Sequence, residues 1–178
     1  MNEKRNRTER TRFTRQCIGD GILELMSTRE FHKIRVSDVA QRTGISRMTF
    51  YHYYENITDA LQDYLSEIIS HYIAERNRCL PFERPHRYSQ ILFALNFFDG
   101  YADFFLKLNR AGLYSMIISA VNRFMLDNFA QNRGETPYGL YFYAGALLNT
   151  FLKWEENGKK ETAEEVADII CRFSGTSL

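Results

Sequence analysis

The sequence predicts an all-α protein of about nine helices, a domain of short helices followed by a helical bundle, and three observations carry that reading. No segment alternates apolar and polar residues at period two between turn residues, so there is no strand from which to build a sheet. Apolar residues instead recur three and four apart along most of the chain. Only three prolines occur in 178 residues, which leaves long stretches that a helix can run through unbroken.

The first helix runs from about Thr8 to Thr28, with Ile18, Ile22, Leu25 and Met26 on its apolar face and Phe13 and Cys17 one turn back. Phe31, Ile34 and Val36 lead into a short helix, Val36 to Thr43, which Gly44 is placed to stop. Ser46 reads as the N-cap of a second short helix through Tyr53. Asn56, with Asp59 three residues on, starts a long connecting helix, 57–79, that ends before Pro81. Helical patterns resume at 88–98 and 102–109. The segment from Leu113 to Gln131 is apolar on nearly every side, with one stripe through Met116, Ile117 and Phe124 and another through Ile118, Val121 and Phe129. It is expected to be central and buried. Thr136-Pro137 is an N-cap followed by a proline in the first turn, opening a helix to about Glu156. Thr162 and Glu165 form a capping box before Val166, Ile169, Ile170 and Phe173.

Charge is uneven along this frame. Residues 1–55 carry 11 Lys/Arg against 7 Asp/Glu, while 56–178 carry 12 against 15, so a chain of net charge +1 joins a basic N-terminal module, basic arm included, to a mildly acidic body. We therefore divide the chain into domains 1–55 and 56–178. With 44% hydrophobic and 25% charged residues, disorder is excluded as a description of the whole. Cys17, Cys79 and Cys171 are too far apart for a metal-binding cluster, and their odd number argues against a disulfide framework. The first fifteen residues are too charged for a signal peptide, and no apolar run is long enough to span a membrane. A reducing, cytoplasmic setting is the expectation.

Two short helices joined by a glycine turn, directly after a basic helix, match helix-turn-helix geometry. The second helix must bury one face and present the other to the major groove of DNA. Phe50 and Tyr54 are expected inside, packing on Val39, Ala40 and Ile45. Arg47, Met48, Tyr51 and His52 are expected outside. Arg47 has the donors for guanine, and Met48 and Thr49 have the methyl groups for thymine contact. The hydroxyls of Tyr51 and Tyr53 suit phosphates, and so do the free N–H groups where the helix at Asn56 begins.

The stretch VSDVAQRTGISRMTFYHYYENITDAL, Val36 to Leu61, resembles the DNA-binding domain of TetR-type bacterial transcriptional regulators. The shared features are Val36, the Val39-Ala40 pair, the turn Gly44-Ile45-Ser46, the core Thr49-Phe50-Tyr51, and Tyr54 three residues on. With the first helix, the resemblance covers roughly residues 8–72. Three positions depart from the family pattern: Tyr53 stands for a usual His, Ile57 for a usual Lys, and Arg35 for a usual capping Ser or Thr. The resemblance then gives the phosphate contact of that Lys to backbone N–H groups and Thr58. It leaves Arg35 to reach a phosphate, with Ser37 taking part of the capping role. The expected DNA-contacting set is Arg35, Ser37, Ser46, Arg47, Met48, Thr49, Tyr51, His52, Tyr53 and Thr58.

The C-terminal half is similar, more weakly, to TetR-type proteins of the dihydroxyacetone-kinase-regulator kind, through NFFDGYADFFLKLNRAGL and YFYAGALLNTFLKWEENGKKETAEEVADII. The resemblance implies a homodimer formed through the last two long helices, and Gly145 and Ala146 allow the close helix approach this needs. The implied interface is Tyr143, Gly145, Ala146, Asn149, Val166, Ile169, Ile170 and Phe173. The resemblance also implies an effector site. The aromatic load points to Phe93, Phe97, Phe98, Phe104, Phe105, Met116, Phe124, Tyr141 and Phe142, although aromatics at helical spacing equally build plain core. The expectation is thus a transcriptional regulator binding a pseudo-palindromic operator as a dimer. The alternative is an effector-free DNA-binding adaptor that recruits a protein through its C-terminal half. No catalytic residue, cofactor or metal site is expected. His32, His71 and His86 read as packing or surface residues, and no nucleophile stands beside His52 at a readable spacing.

Overall fold

The structure, a computed structural model, describes residues 2–80, 85, 87–131 and 136–173, with side chains from residue 10 onward. The side chains of Lys4, Arg5 and Arg7, and all of His86, lie outside the described residues. Those residues form nine α-helices: α1 Asn2–Met26, α2 Val36–Thr43, α3 Arg47–Tyr53, α4 Ile57–Cys79, α5 Tyr88–Asp99, α6 Ala102–Arg110, α7 Tyr114–Phe129, α8 Pro137–Glu156 and α9 Ala163–Phe173. A single 3-10 turn, Phe31–Lys33, precedes α2. No strand occurs among them, and no helix is long and apolar enough to cross a membrane. The first helix starts earlier than its apolar pattern, because 2–8 contains no residue that breaks a helix.

The chain divides into two compact units, 1–68 and 69–178, so the division falls inside α4 rather than ahead of it at residue 55. The reason is local. Leu61, Leu65 and Ile68 of α4 are buried in the first unit together with Ile18 and Ile22 of α1, Val39 and Ala40 of α2, and Phe50 of α3. Burying one such side chain contributes roughly 1.5–3 kcal/mol, and this set supplies the core on which α2 and α3, too short to persist alone, are held.

In the second unit α5 packs on α9 and α8, and α7 packs on α8 and α6. The helix ends follow their caps. Thr136 Oγ1 accepts the Gly139 N–H at 3.0 Å with Pro137 in the first turn, and Thr162 and Glu165 complete a reciprocal box at 2.8 and 3.2 Å. Helix α7 differs from expectation. Only Ile117, Met125 and Phe129 are buried, while Met116, Ile118, Val121 and Phe124 remain half-exposed. Its close neighbours α8 and α6 leave its second apolar stripe incompletely covered.

Candidate nucleic-acid interface

The interface begins with a turn. Gly44 has φ 73° and ψ 8°, a left-handed conformation that costs glycine little, and its N–H closes α2 on the Ala40 carbonyl at 3.0 Å. Two residues later Ser46 is extended, and its Oγ accepts the Thr49 N–H at 2.9 Å, starting α3. Thr49 Oγ1 lies 2.9 Å from the same oxygen. This local chemistry turns the chain sharply and aims a seven-residue helix.

Helix α3 has two faces. Phe50 is 0% exposed, and its ring lies 5.8 Å from that of Tyr54, the residue that ends the helix. Met48 is 82% exposed, and Arg47, Tyr51 and His52 are exposed with it. Thr49 and Tyr53 are half-buried, and the Tyr53 ring lies edge-on to that of His52 at 5.0 Å. Ser46 is exposed, so one end of α3 and a whole side of it face outward.

Two helix starts flank α3. At α2 the capping role expected in part of Ser37 belongs to Asp38. Its Oδ2 accepts the Arg35 N–H at 2.8 Å, and its Oδ1 lies 3.1 Å from Arg29 Nη1. The Arg35 N–H bond, and then Arg29, hold the Asp38 carboxyl below the usual carboxylate range. Arg35 and Ser37 are left exposed. At α4 the Asn56 Oδ1 accepts the Asp59 N–H at 3.0 Å, and Thr58 is half-buried in the first turn.

A network that the sequence did not reveal stands behind this surface. Asp63 of α4 accepts the Tyr54 hydroxyl at 2.6 Å and Arg15 Nε of α1 at 2.7 Å, both on Oδ2, while Arg15 Nη2 bonds Oδ1. Burial first, and then the bond to Asp63, push the Tyr54 phenol above its ordinary range. The Asp63 bond holds the Arg15 guanidinium more firmly protonated. Arg15 and Asp63 are 48 residues apart, and no local pattern joins them.

In the second unit Tyr72 of α4 is the centre of the aromatic cluster, with ring centroids 5.9, 5.3, 4.8 and 5.4 Å from Phe93, Phe97, Phe98 and Phe124. Burial pushes its phenol up to about 12. Phe105 joins through Phe98 and Phe151 at 5.5 and 5.8 Å, Phe104 is buried beside Phe105, and Met116 is half-buried. Tyr141 and Phe142 do not belong with these rings. Both are exposed on α8, because its inward stripe is taken by Leu140, Tyr143, Ala144 and Leu148. The residues expected at a dimer interface differ in exposure on the single chain. Tyr143, Val166 and Ile170 are buried, and the Tyr143 hydroxyl donates to the Pro85 carbonyl at 2.7 Å. Gly145, Ala146 and Ile169 are half-buried. Asn149, which accepts a bond from the Tyr114 hydroxyl at 3.2 Å, is exposed, as is Phe173.

A glycine-turned pair of short helices, the second anchored by one aromatic and open on its other side, is a helix-turn-helix of the kind that regulatory proteins carry. Residues 18–62 match the family model described as bacterial regulatory proteins, tetR family. Through these residues the chain is similar to the DNA-binding part of that family. It is 37% identical over 49 residues to the HTH-type dhaKLM operon transcriptional activator DhaS of Lactococcus lactis subsp. lactis (strain IL1403), a match covering 28% of this chain and only 26% of that relative. Solved structures are similar over much more of the chain. The dihydroxyacetone kinase operon activator DhaS matches at TM-score 0.59 and 19% identity, over 90% of this chain and 93% of its own. A tetR-family transcriptional regulator from Streptomyces coelicolor matches at TM-score 0.58 and 17% identity, over 90% and 78%. The fatty acid degradation regulator FadR from Bacillus halodurans matches at 0.56 and 14%, over 90% and 93%. At these identities the structures show a shared fold.

Proposed function

We propose that the protein is a cytoplasmic transcriptional regulator that binds a pseudo-palindromic DNA operator as a homodimer, with its second unit taking a modulating ligand. The observation that carries the reading is the division of α3, with Phe50 at 0% exposure and Met48 at 82%, beside an exposed Arg47. That is the arrangement a helix needs to seat itself on a domain and offer side chains to base edges. Arg47 supplies the bidentate donor for guanine, Met48 the apolar contact for a thymine methyl, and Ser46, Tyr51, Tyr53, Thr58 and Arg35 the phosphate donors.

The dimer reading is supported by Tyr138 and Phe142 of α8 and Phe173 of α9, large apolar side chains left exposed on the protomer. A second copy covers them and places two α3 helices about one helical turn of DNA apart, or a multiple of it. The ligand reading rests on the aromatic cluster at Tyr72, apolar and half-exposed at Phe93, Phe97, Phe98 and Phe124. A relative's name associates it with the dhaKLM operon, and a dihydroxyacetone-linked operon is the first promoter to test. The deciding experiment selects duplexes from a random pool with the wild-type chain, then footprints the winner. A two-fold site whose affinity falls steeply with salt supports the reading, and no enrichment of any sequence overturns it.

A further inference from the structure

We infer that Asp63 is a positioning residue for the reading helix: its carboxylate, oriented by Arg15 of α1, holds the end of α3 through the Tyr54 hydroxyl. The inference rests on the reading that α3 contacts DNA.

Helix α3 has seven residues, about two turns, and a helix that short holds its direction only through what it is fastened to. Three fastenings are visible. Its start is fixed by the Ser46 cap and the Gly44 turn, and its middle by Phe50. Its end is fixed at Tyr54, whose N–H bonds the Phe50 carbonyl at 3.0 Å and whose side chain leaves α3 for α4. A buried phenyl ring sets how deep a helix sits, but dispersion contacts are non-directional and resist rotation weakly. A hydrogen bond from Tyr54 to a carboxylate is directional, and it is stronger than a neutral one.

The acceptor is itself fixed. Arg15 engages both oxygens of Asp63, a planar fork on a planar carboxylate that leaves it little freedom to turn. Oδ2 then serves two donors, Arg15 Nε at 2.7 Å and the Tyr54 hydroxyl at 2.6 Å, so one atom joins α1, α4 and the end of α3. The network is half-buried, where water competes less for its bonds. A helix free to tilt at that end displaces the tips of Arg47 and Met48. Bidentate contact with a base edge tolerates little displacement, whereas contact with phosphates tolerates more.

The test uses full-length chain carrying Tyr54→Phe, Asp63→Asn, or both. Affinity is measured at one salt concentration for a duplex enriched by the wild-type chain and for a scrambled duplex of equal length. Far-UV circular dichroism monitors helix content. Tyr54→Phe removes one oxygen and keeps the ring that packs on Phe50, so the domain core is retained. Each single variant is expected to lower the ratio of specific to non-specific affinity roughly tenfold, in line with one charge-assisted hydrogen bond. The double variant should go no further than Asp63→Asn alone, because that change already cuts the link that Tyr54→Phe removes. A purely structural role would lower both affinities together, and that result overturns the assignment. So does an unchanged ratio in a background where the wild type enriches a sequence. A wild type that enriches nothing overturns the DNA-reading proposal and this one with it.

Discussion

Gly19 of α1 stands against the ring of Tyr64 of α4 so closely that a β-carbon on it would overlap Cδ2 and lie 2.7 Å from Cε2. The ring is not free to swing aside. Its hydroxyl donates to Asp20 at 2.8 Å and accepts from Gln16 at 3.1 Å. Alanine in place of a mid-helix glycine normally gains up to about 1 kcal/mol of helix propensity. Here the added methyl meets a tethered ring, and overpacking of that kind costs typically 1–3 kcal/mol. Gly19→Ala is therefore expected to lower the melting temperature of the first unit by a few degrees. Thermal unfolding followed by circular dichroism checks it, and a higher melting temperature would mean that α1 and α4 separate easily at this point.

Arg47 and Arg12 are both exposed cations of the first unit, but they sit differently. Arg47 opens α3, whereas Arg12 lies on α1 with its Nη2 3.7 Å from Glu67. Arg47→Ala is expected to cost about 1–3 kcal/mol on the preferred duplex and to relax the preference at one base pair. Arg12→Ala is expected to weaken binding evenly across sequences and to flatten the salt dependence by about one charge. Competition binding against single-base operator variants separates the two, and an unchanged base preference in Arg47→Ala would remove that residue from the reading set.

Phe142 and Tyr143 are neighbours on α8 with opposite surroundings. Phe142 is exposed, while Tyr143 is buried with its hydroxyl on the Pro85 carbonyl. Phe142→Glu is expected to leave the protomer folded and to shift sedimentation from dimer to monomer at micromolar concentration, by placing a charge in an apolar contact. Tyr143→Phe is expected to leave the oligomeric state alone and to lower stability by about 1–3 kcal/mol, since a buried carbonyl loses its donor. Dissociation by the second variant and not the first would reverse the assignment of the two faces.

These neighbours also show what the sequence could and could not disclose. Elements and caps were legible because their causes are local: Ser46 to Thr49, Asn56 to Asp59 and Thr162 to Glu165 are each three residues apart. The two faces of α3 were legible because Phe50 and Tyr54 lie four apart on a helix of known start. The faces of α8 were not. Apolar residues occur all round it, and the packing of α7, α6 and α5 decides that Tyr143 turns in and Phe142 out. The same ambiguity made α7 look central. Asp63 was silent for a different reason, since its partners Arg15 and Tyr54 lie on separate helices and share no spacing rule with it. Asp38 could have been found, because an acidic residue three positions after Arg35 is itself a capping signal.

Stability of the second unit is expected to depend on pH through Glu155. Burial first, and then the neighbouring Asp99, raise its carboxyl to about 7, against the opposing pull of Lys159. Its Oε1 is buried without a hydrogen-bond partner among the described residues, while Lys159 spends its ammonium on Asp99. The folded chain thus keeps a proton that the unfolded chain releases at its ordinary value of 4.5. Below that value both states hold the proton, and the group has no effect. Between 4.5 and about 7 the unfolded state binds fewer protons than the folded one, so stability falls as pH rises, and above this window the loss is complete. Glu155→Gln removes the ionisation and keeps the shape. It should raise the melting temperature at pH 8 relative to wild type, by more than it does at pH 5. Thermal scans of both proteins across that range provide the check, and parallel profiles would mean that Glu155 ionises in the folded chain like any surface carboxylate.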